Sequence, residues 1–168
     1  MANIVLSTAS TTPVTLASND NYYIASTGRL TISSGAVVPI DTTDDAQAGV
    51  SVFVDGTLVS LIFGSAIDLS RAAPTDSGFY SVSIGATGRI ISRSGFGEDA
   101  IRMVGTYSMF TNQGSVSSIG GAVEIDGDNS DVFNHGTLLA EGTAVSLTSD
   151  NANFVNTGTI RGVNGVIL

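Results

Sequence analysis

Acidic side chains at alternate positions are the first residues in this sequence whose types and spacing could do chemistry. Asp126, Asp128 and Asp131 lie close together in a run that also contains Ser130. Oxygen ligands at alternate positions suit Ca²⁺, and the run is similar to the opening of an EF-hand loop. However, Asp131 stands where that loop needs glycine, and Thr137 stands where it needs glutamate. Calcium is therefore the one cofactor to consider, and the alternative is a polar turn between strands with no cofactor.

A second set of acids could do acid–base chemistry. Asp41, Asp44 and Asp45 lie in one irregular segment, and Glu98 and Asp99 follow a run that contains two glycines. Paired carboxylates of this kind cleave glycosidic bonds when one is protonated and the other ionised. The alternative is a set of solvated acids in turns. We favour the alternative and predict no catalytic residue.

The single histidine and four aromatic residues complete the candidates. His135 occupies a repeat position that holds Gln113 and Thr157 in neighbouring units, so an exposed turn is predicted there. The pairs Tyr22-Tyr23 and Phe79-Tyr80 flank irregular segments and could stack on sugar rings. Their alternative role is to close the N-terminal end and a long loop.

These candidates lie in a sequence repeat whose length becomes constant at 22 residues in the C-terminal half. Asn112-Gln113-Gly114 is followed by Asn134-His135-Gly136 and then by Asn156-Thr157-Gly158. After each glycine come a hydroxyl residue and an aliphatic residue. A second motif repeats at the same interval as Ala100-Ile101-Arg102-Met103, Ala122-Val123-Glu124-Ile125 and Ala144-Val145-Ser146-Leu147, and Val166-Ile167-Leu168 begins a further copy.

Aligned copies place aliphatic residues in columns. The columns read Leu30, Leu58, Ile90, Val116, Leu138, Ile160; then Ile67, Ile101, Val123, Val145, Ile167; then Leu69, Met103, Ile125, Leu147. Alternation at period two points these residues inward and their polar neighbours outward. The pattern predicts an all-β fold, a right-handed parallel β-helix of about six coils with about 22 residues in each regular coil.

The asparagines and glycines of the first motif are predicted to form a structural ladder at one corner. Asn112, Asn134 and Asn156 would hydrogen-bond to each other and to the turn backbone. Gly114, Gly136 and Gly158 would permit a positive φ. A binding role for the asparagines is the alternative.

One solenoid domain is expected over residues 1–168. Residues 1–27 would form an N-terminal cap or first strands, 28–99 irregular coils with loops at 41–50 and 70–80, and 100–168 regular coils. The last repeat stops midway and has no polar cap. We therefore expect either a fragment of a longer chain or a unit that associates end to end.

The amino-acid composition limits the classes of molecule that the chain could bind. The net charge is −9, there is no lysine, and the cysteine count is zero. Such a surface repels nucleic acid and anionic lipid, because affinity for both rests on basic residues. The N-terminus has no basic segment and only a short apolar run, so no signal peptide is predicted.

The unit Asn-x-Gly-[Ser/Thr]-aliphatic resembles the N-x-G-T-I arrays of bacterial secreted β-helix proteins. Such arrays occur in autotransporter passenger domains and in RTX-type calcium-binding proteins that leave the cell by type I secretion. The resemblance implies a secreted protein and a structural, adhesive or spacer module without catalysis. The alternative function is a carbohydrate-active β-helix that binds or cleaves polysaccharide. The implied partners are another copy, further domains of a longer chain, or an extracellular glycan.

Overall fold

The computed structural model describes residues 2–34, 38–42, 49–62, 64–70, 79–93 and 98–168. Within these ranges the chain consists of strands and turns, and no helix occurs. The strands form three parallel sheets of seven strands each, and consecutive strands of the chain belong to different sheets. This arrangement confirms the predicted parallel β-solenoid.

Strands are numbered β1 to β21 in chain order, and each sheet takes every third strand. Sheet A contains β1 (Asn3–Leu6), β4 (Asn21–Ile24), β7 (Val50–Val54), β10 (Tyr80–Ile84), β13 (Met109–Asn112), β16 (Asp131–Asn134) and β19 (Asn153–Asn156). Sheet B contains β2 (Ala9–Ser10), β5 (Arg29–Ile32), β8 (Thr57–Ser60), β11 (Arg89–Ser92), β14 (Ser115–Ser118), β17 (Thr137–Ala140) and β20 (Thr159–Arg161). Sheet C contains β3 (Val14–Leu16), β6 (Ile40–Thr42), β9 (Ile67–Leu69), β12 (Asp99–Val104), β15 (Gly121–Asp126), β18 (Thr143–Thr148) and β21 (Asn164–Ile167).

The described strands make seven coils, one more than the count of turn glycines predicted. The additional coil is the first, β1 to β3. Its corner holds Thr8 and Ala9, and Ala9 pairs with Arg29 of the next coil. This corner lacks the glycine that is present at the later corners, so the spacing of glycines does not predict the first coil.

Strand register confirms most of the predicted columns. In sheet B, Leu30 pairs with Leu58, and the pairing continues without a slip to Ile160. The exception is the last coil of sheet C, where Val166 rather than Ile167 pairs with Val145. The final interval is therefore one residue shorter than 22. Because side chains alternate, this shift moves Ile167 to the position beside Ser146, on the outward column.

The solenoid interior is filled by the inward columns. Phe110 is fully buried and pairs with Val132, and Phe154 continues the same column at its partly exposed end. Tyr22 and Tyr80 also face the core, with 3% and 0% of their surfaces exposed. Burial excludes these two rings from stacking on sugars.

The corner glycines are required by close backbone approach, and the expectation of a positive φ is wrong. Positive φ among the described glycines occurs at Gly49, Gly64 and Gly127, none of which is a corner glycine. A Cβ on Gly136 would overlap the carbonyl oxygen of Gly114, and one on Gly158 would overlap the carbonyl oxygen of Gly136. The stacked backbones leave no room for a side chain at this corner.

The three asparagines form a continuous chain of hydrogen bonds beside the glycines. The Asn112 Nδ2 donates to the Asn134 Oδ1 at 2.7 Å, and the Asn134 Nδ2 donates to the Asn156 Oδ1 at 2.7 Å. The Asn112 Oδ1 accepts from the backbone N–H of Gly114 at 3.1 Å. Asn112 and Asn134 are fully buried. In the preceding coils the same column is aliphatic, and Asn112 pairs with Ile84.

Replacing Gly136 with Ala should destabilise the fold strongly. The new Cβ would meet the Gly114 carbonyl oxygen, so the two coils must separate locally and lose packing. We expect a loss of about 3 kcal/mol or more, by analogy with overpacked cores and unmade hydrogen bonds. Urea unfolding followed by far-UV circular dichroism measures it. Gly165→Ala is the matched control, because nothing lies within 4 Å of a Cβ there, and equal losses in the two variants would contradict the steric explanation.

Replacing Asn134 with Ala should cost about 2–4 kcal/mol, because it breaks two ladder hydrogen bonds and leaves buried amide groups on Asn112 without one partner. Asn156→Ala removes one ladder bond and a long bond from the Asn156 Nδ2 to the Gly158 carbonyl oxygen, both at the exposed end, and should cost about 1 kcal/mol. The free energies of unfolding of both variants test this order. If the ladder did not stabilise the fold, both variants would lose the same small amount of unfolding free energy.

Candidate functional site

The outward face of sheet C carries a column of charges that run across the coils. Asp41 pairs with Asp68, Asp68 with Arg102, and Arg102 with Glu124, so one cation lies between carboxylates. The Arg102 Nε donates to the Glu124 Oε2 at 3.0 Å, and its Nη1 lies 4.0 Å from the Asp68 Oδ1. The charges end at Glu124, and the column continues through Ser146 to Ile167.

Beside this column lies an open groove of about 500 Å³. Its carboxylates are Asp99 at the start of β12, Glu124 in the middle of β15, and Glu141 in the turn before β18. Asp99 pairs with Gly121, and a Cβ on that glycine would overlap the Asp99 Oδ1. The glycine therefore makes the space in which the Asp99 carboxyl lies.

The pKa of Asp99 is raised to about 6, and partial burial is the largest cause. The negative charges of Glu124 and Glu98 contribute to this increase, and the charge of Arg102 opposes it. A carboxyl that holds its proton up to about pH 6, beside a carboxylate that is ion-paired to arginine, provides the acid and the carboxylate that acid–base catalysis uses. The groove is the best candidate site on the chemistry of its side chains.

The three acids suggested for calcium are not brought together. Asp126 and Asp128 line a groove of about 410 Å³ together with Asp150, whereas Asp131 lies at the start of β16 and is not part of its wall. The Asp128 Oδ1 accepts from the backbone N–H of Asp150 at 3.1 Å, which is the bond of a polar turn. Among the described residues, no group of three His, Cys, Asp or Glu side chains could hold a metal ion.

The other candidates are dispersed. Asp44 and Asp45 lie outside the described residues, while Asp41 belongs to β6 and the charge column. His135 is exposed in its turn, and its Nδ1 lies 2.6 Å from the Thr157 Oγ1 in the same turn of the next coil.

Of the aromatic pairs, only Tyr23 and Phe79 remain accessible. The Tyr23 ring contacts Phe53 with ring centroids 5.1 Å apart, and 47% of Phe79 is exposed.

Sequence reasoning identified Asp99 as an acid but did not identify its neighbours. Glu141 reaches the groove only because the turn before β18 stacks on the turn before β15, where Gly142 bonds to Gly120. The signal that could have found the groove is the 22-residue interval itself, since Arg102 and Glu124 are separated by one coil.

Comparisons with known proteins add no family. No family model matches the chain, and no curated protein or solved structure matches it. In the part of the chain that the structure describes, a helix with the length and apolar character needed to cross a membrane was not found.

The titration of Asp99 should make stability depend on pH. Its pKa is higher in the folded chain, at about 6, than the unfolded value of about 3.9, so the folded state binds the proton more tightly. This stability is fully present below about pH 4 and is lost as the pH rises through about 6. After a discount for solvent screening we expect a penalty of about 1 kcal/mol at neutral pH, or about 2–4 °C in Tm.

Asp99→Asn should therefore melt higher than the native chain at pH 7.5 and at nearly the same temperature at pH 4. Asp150→Asn, an exposed turn acid, is the control and should leave the difference between the two pH values unchanged. A Tm of Asp99→Asn that follows the native chain at every pH would contradict the raised pKa.

Proposed function

We propose that this chain is a structural, adhesive or spacer module of a secreted bacterial repeat protein, without catalysis of its own. The observation that carries the proposal is the continuous stacking of three parallel sheets through seven coils. Each coil packs only against its neighbours, so the solenoid is a stiff rod whose length grows by about 4.8 Å per coil. A rod of this kind separates or displays other groups.

The repeat motif and the charge support an extracellular setting. The acidic composition without cysteine or lysine resembles that of RTX-type secreted proteins, and the net charge of −9 favours solubility. Nucleic acid and anionic membrane surfaces are excluded as partners in this proposal for the same electrostatic reason.

The proposal includes association through strand edges. β19, β20 and β21 each pair on one side only in the described structure, and Val163 and Leu168 beside them are about four-fifths exposed. Open strand edges with apolar neighbours template pairing with further β-strands, from a second copy or from further parts of a longer protein. Static light scattering of the purified chain tests for association with a second copy.

A second candidate, a carbohydrate-cleaving β-helix, is favoured by one observation, the Asp99 carboxyl with a pKa of about 6 beside Glu124. In that function Asp99 would protonate the leaving oxygen, and Glu124 would act as base or nucleophile. The ion pair between Glu124 and Arg102 argues for the structural module, because it already uses the second carboxylate in a contact between coils.

We expect no increase in reducing ends when the chain is incubated with neutral or acidic polysaccharides at pH 5 to 7. The physical reason is that the Glu124 carboxylate is held by Arg102 in a contact between coils and is not directed at a substrate. Turnover that disappears in Asp99→Asn and persists in Asp150→Asn would overturn the structural proposal and establish the second candidate.

A further inference from the structure

The asparagine ladder has a direction, and its two ends differ. Asn112 donates from its Nδ2 to Asn134, and Asn134 donates in the same way to Asn156, each at 2.7 Å. At the first coil of the ladder, the Asn112 Oδ1 accepts from the backbone N–H of Gly114. At the other end, the described structure gives the Asn156 Nδ2 only the carbonyl oxygen of Gly158, at 3.4 Å. The ladder is therefore complete at Asn112 and incomplete at Asn156.

Each buried ladder amide bonds to two acceptors of the coil that follows it. The Asn134 Nδ2 reaches the Asn156 Oδ1 and, at 3.4 Å, the carbonyl oxygen of Thr159. The Asn112 Nδ2 has the equivalent pair, with the carbonyl oxygen of Thr137 at 3.3 Å. One acceptor is the next ladder asparagine, and the other is the residue after the next corner glycine. A coil stacked on β19, β20 and β21 would supply both acceptors to Asn156 if it carried the same motif.

The same end of the solenoid is apolar on its inner side. Phe154 continues the inward column of Phe110 and Val132 and is its partly exposed member. Beside Phe154 lies a hollow of about 340 Å³, lined also by Leu147, Ser149, Ala152 and Leu168. A single strand would pair with one of the three strand edges around this hollow. A coil that turns at the same corners would pair with all three and fill the hollow with an inward side chain.

The corner beside the ladder limits which coil can stack there. A Cβ on Gly136 would overlap the carbonyl oxygen of Gly114, and a Cβ on Gly158 would overlap the carbonyl oxygen of Gly136. By the same repeat, the Gly158 carbonyl oxygen lies where a stacked coil would place its own corner residue. Only glycine avoids a collision with it, so the partner needs glycine two residues after its asparagine.

The first coil of this chain does not match these requirements. Leu6 occupies the ladder column in β1, and the pairing leads from it through β4, β7 and β10 to Asn112. Thr8 occupies the corner position, because its carbonyl oxygen accepts from the Arg29 N–H as corner glycines do from the next coil. On the ladder end of another copy, Leu6 would offer no acceptor, and the Thr8 side chain would collide with the corner carbonyl.

Two copies that met at their ladder ends would match no better. A two-fold axis between these ends would make the facing strands antiparallel, whereas β19, β20 and β21 pair in parallel with the coil before them. Each end would also present the same Asn156 donor to the other, while each Asn156 Oδ1 already accepts from Asn134. A second copy is therefore a poor partner in either orientation.

We propose that the end of the solenoid formed by β19, β20 and β21 binds a further β-solenoid coil with an Asn-x-Gly corner, and that this end binds no second copy of the chain. The asparagine of the partner accepts from the Asn156 Nδ2, and its glycine lies against the Gly158 carbonyl oxygen. The proposal deepens the association included in the proposed function and rests on it, because it specifies which β-structure the strand edges accept.

Extending the intact chain by one coil tests the proposal. A copy of residues 126–147 is fused after Leu168, and the register of sheet C then continues, because Ile167 pairs with Ser146 and Asp126 with Thr148. The extended chain should melt about 4 °C or more above the native chain, since a stacked coil adds one further interface to the solenoid. Thermal unfolding followed by far-UV circular dichroism measures the difference.

Matched variants of the extension separate the contacts. Gly136→Ala in the copied coil should abolish the gain in Tm, because the new Cβ would meet the Gly158 carbonyl oxygen of the native coil. Asn134→Ala in the copied coil should reduce the gain by about 2–4 °C. That reduction should disappear when Asn156 is also replaced with Ala, because the two amides then have no interaction to lose.

A mismatched extension and the native chain are the controls for a second copy. An extension with the first coil, residues 2–16 joined through a copy of the turn 148–151, should give no gain in Tm. The native chain should be monomeric in static light scattering. Leu168→Asp places a charge at the hollow on a side chain that is 79% exposed, so this variant should fold and identifies any dimer that uses this end.

Four results would overturn the proposal. They are a Tm that the Asn-x-Gly coil does not raise, a full gain that survives Gly136→Ala, an equal gain from the first coil, and a dimer of the native chain that Leu168→Asp dissociates. Turnover of polysaccharide would refute the proposed function without altering these Tm values. An extension that adds no stability would leave the module as a spacer, so the two failures are distinguishable.

Discussion

The contact between stacked backbones at the glycine corner is the constraint on which the rest of this solenoid depends. Gly114, Gly136 and Gly158 lie so close to one another that a Cβ on either of the last two would overlap a carbonyl oxygen of the coil before it. Coils held at this distance must keep their strands in register, since a slip of one residue would turn a whole strand inside out. The aliphatic columns and the asparagine ladder follow from that alignment.

This alignment constrains the residues of inward columns more than those of outward columns. Inward columns stack residues that pack or hydrogen-bond with each other, as Leu138 does on Ile160 and Asn112 does with Asn134. An outward column meets water and is free to vary from coil to coil. The faces of the solenoid have therefore diverged: sheet C collects charge around Arg102 and the Asp99 groove, whereas the described strands of sheet A have an almost uncharged outward face with the exposed Phe53 ring.

Much of the fold could be predicted because the repeat places chemically similar residues at equal intervals. The spacing of aliphatic residues predicted the sheet B column from Leu30 to Ile160 in this way. The first coil was not counted because Thr8 and Ala9 replace the glycine signature, and the last coil was misaligned because one residue is missing before Val166. The groove was harder to predict, since Asp99 and Glu141 belong to different coils and are brought together by stacking.

By itself the sequence determined the all-β solenoid, the interval of its regular coils and the asparagines that share one corner, because these depend on periodicity along the chain. Only the tertiary structure decided why the corner residue is glycine, which acid has an altered pKa, and which aromatic residues are exposed. These properties depend on distances between coils. Tyr22 and Tyr23 are neighbours in sequence, yet one ring fills the core and the other contacts Phe53 on the outward face of sheet A.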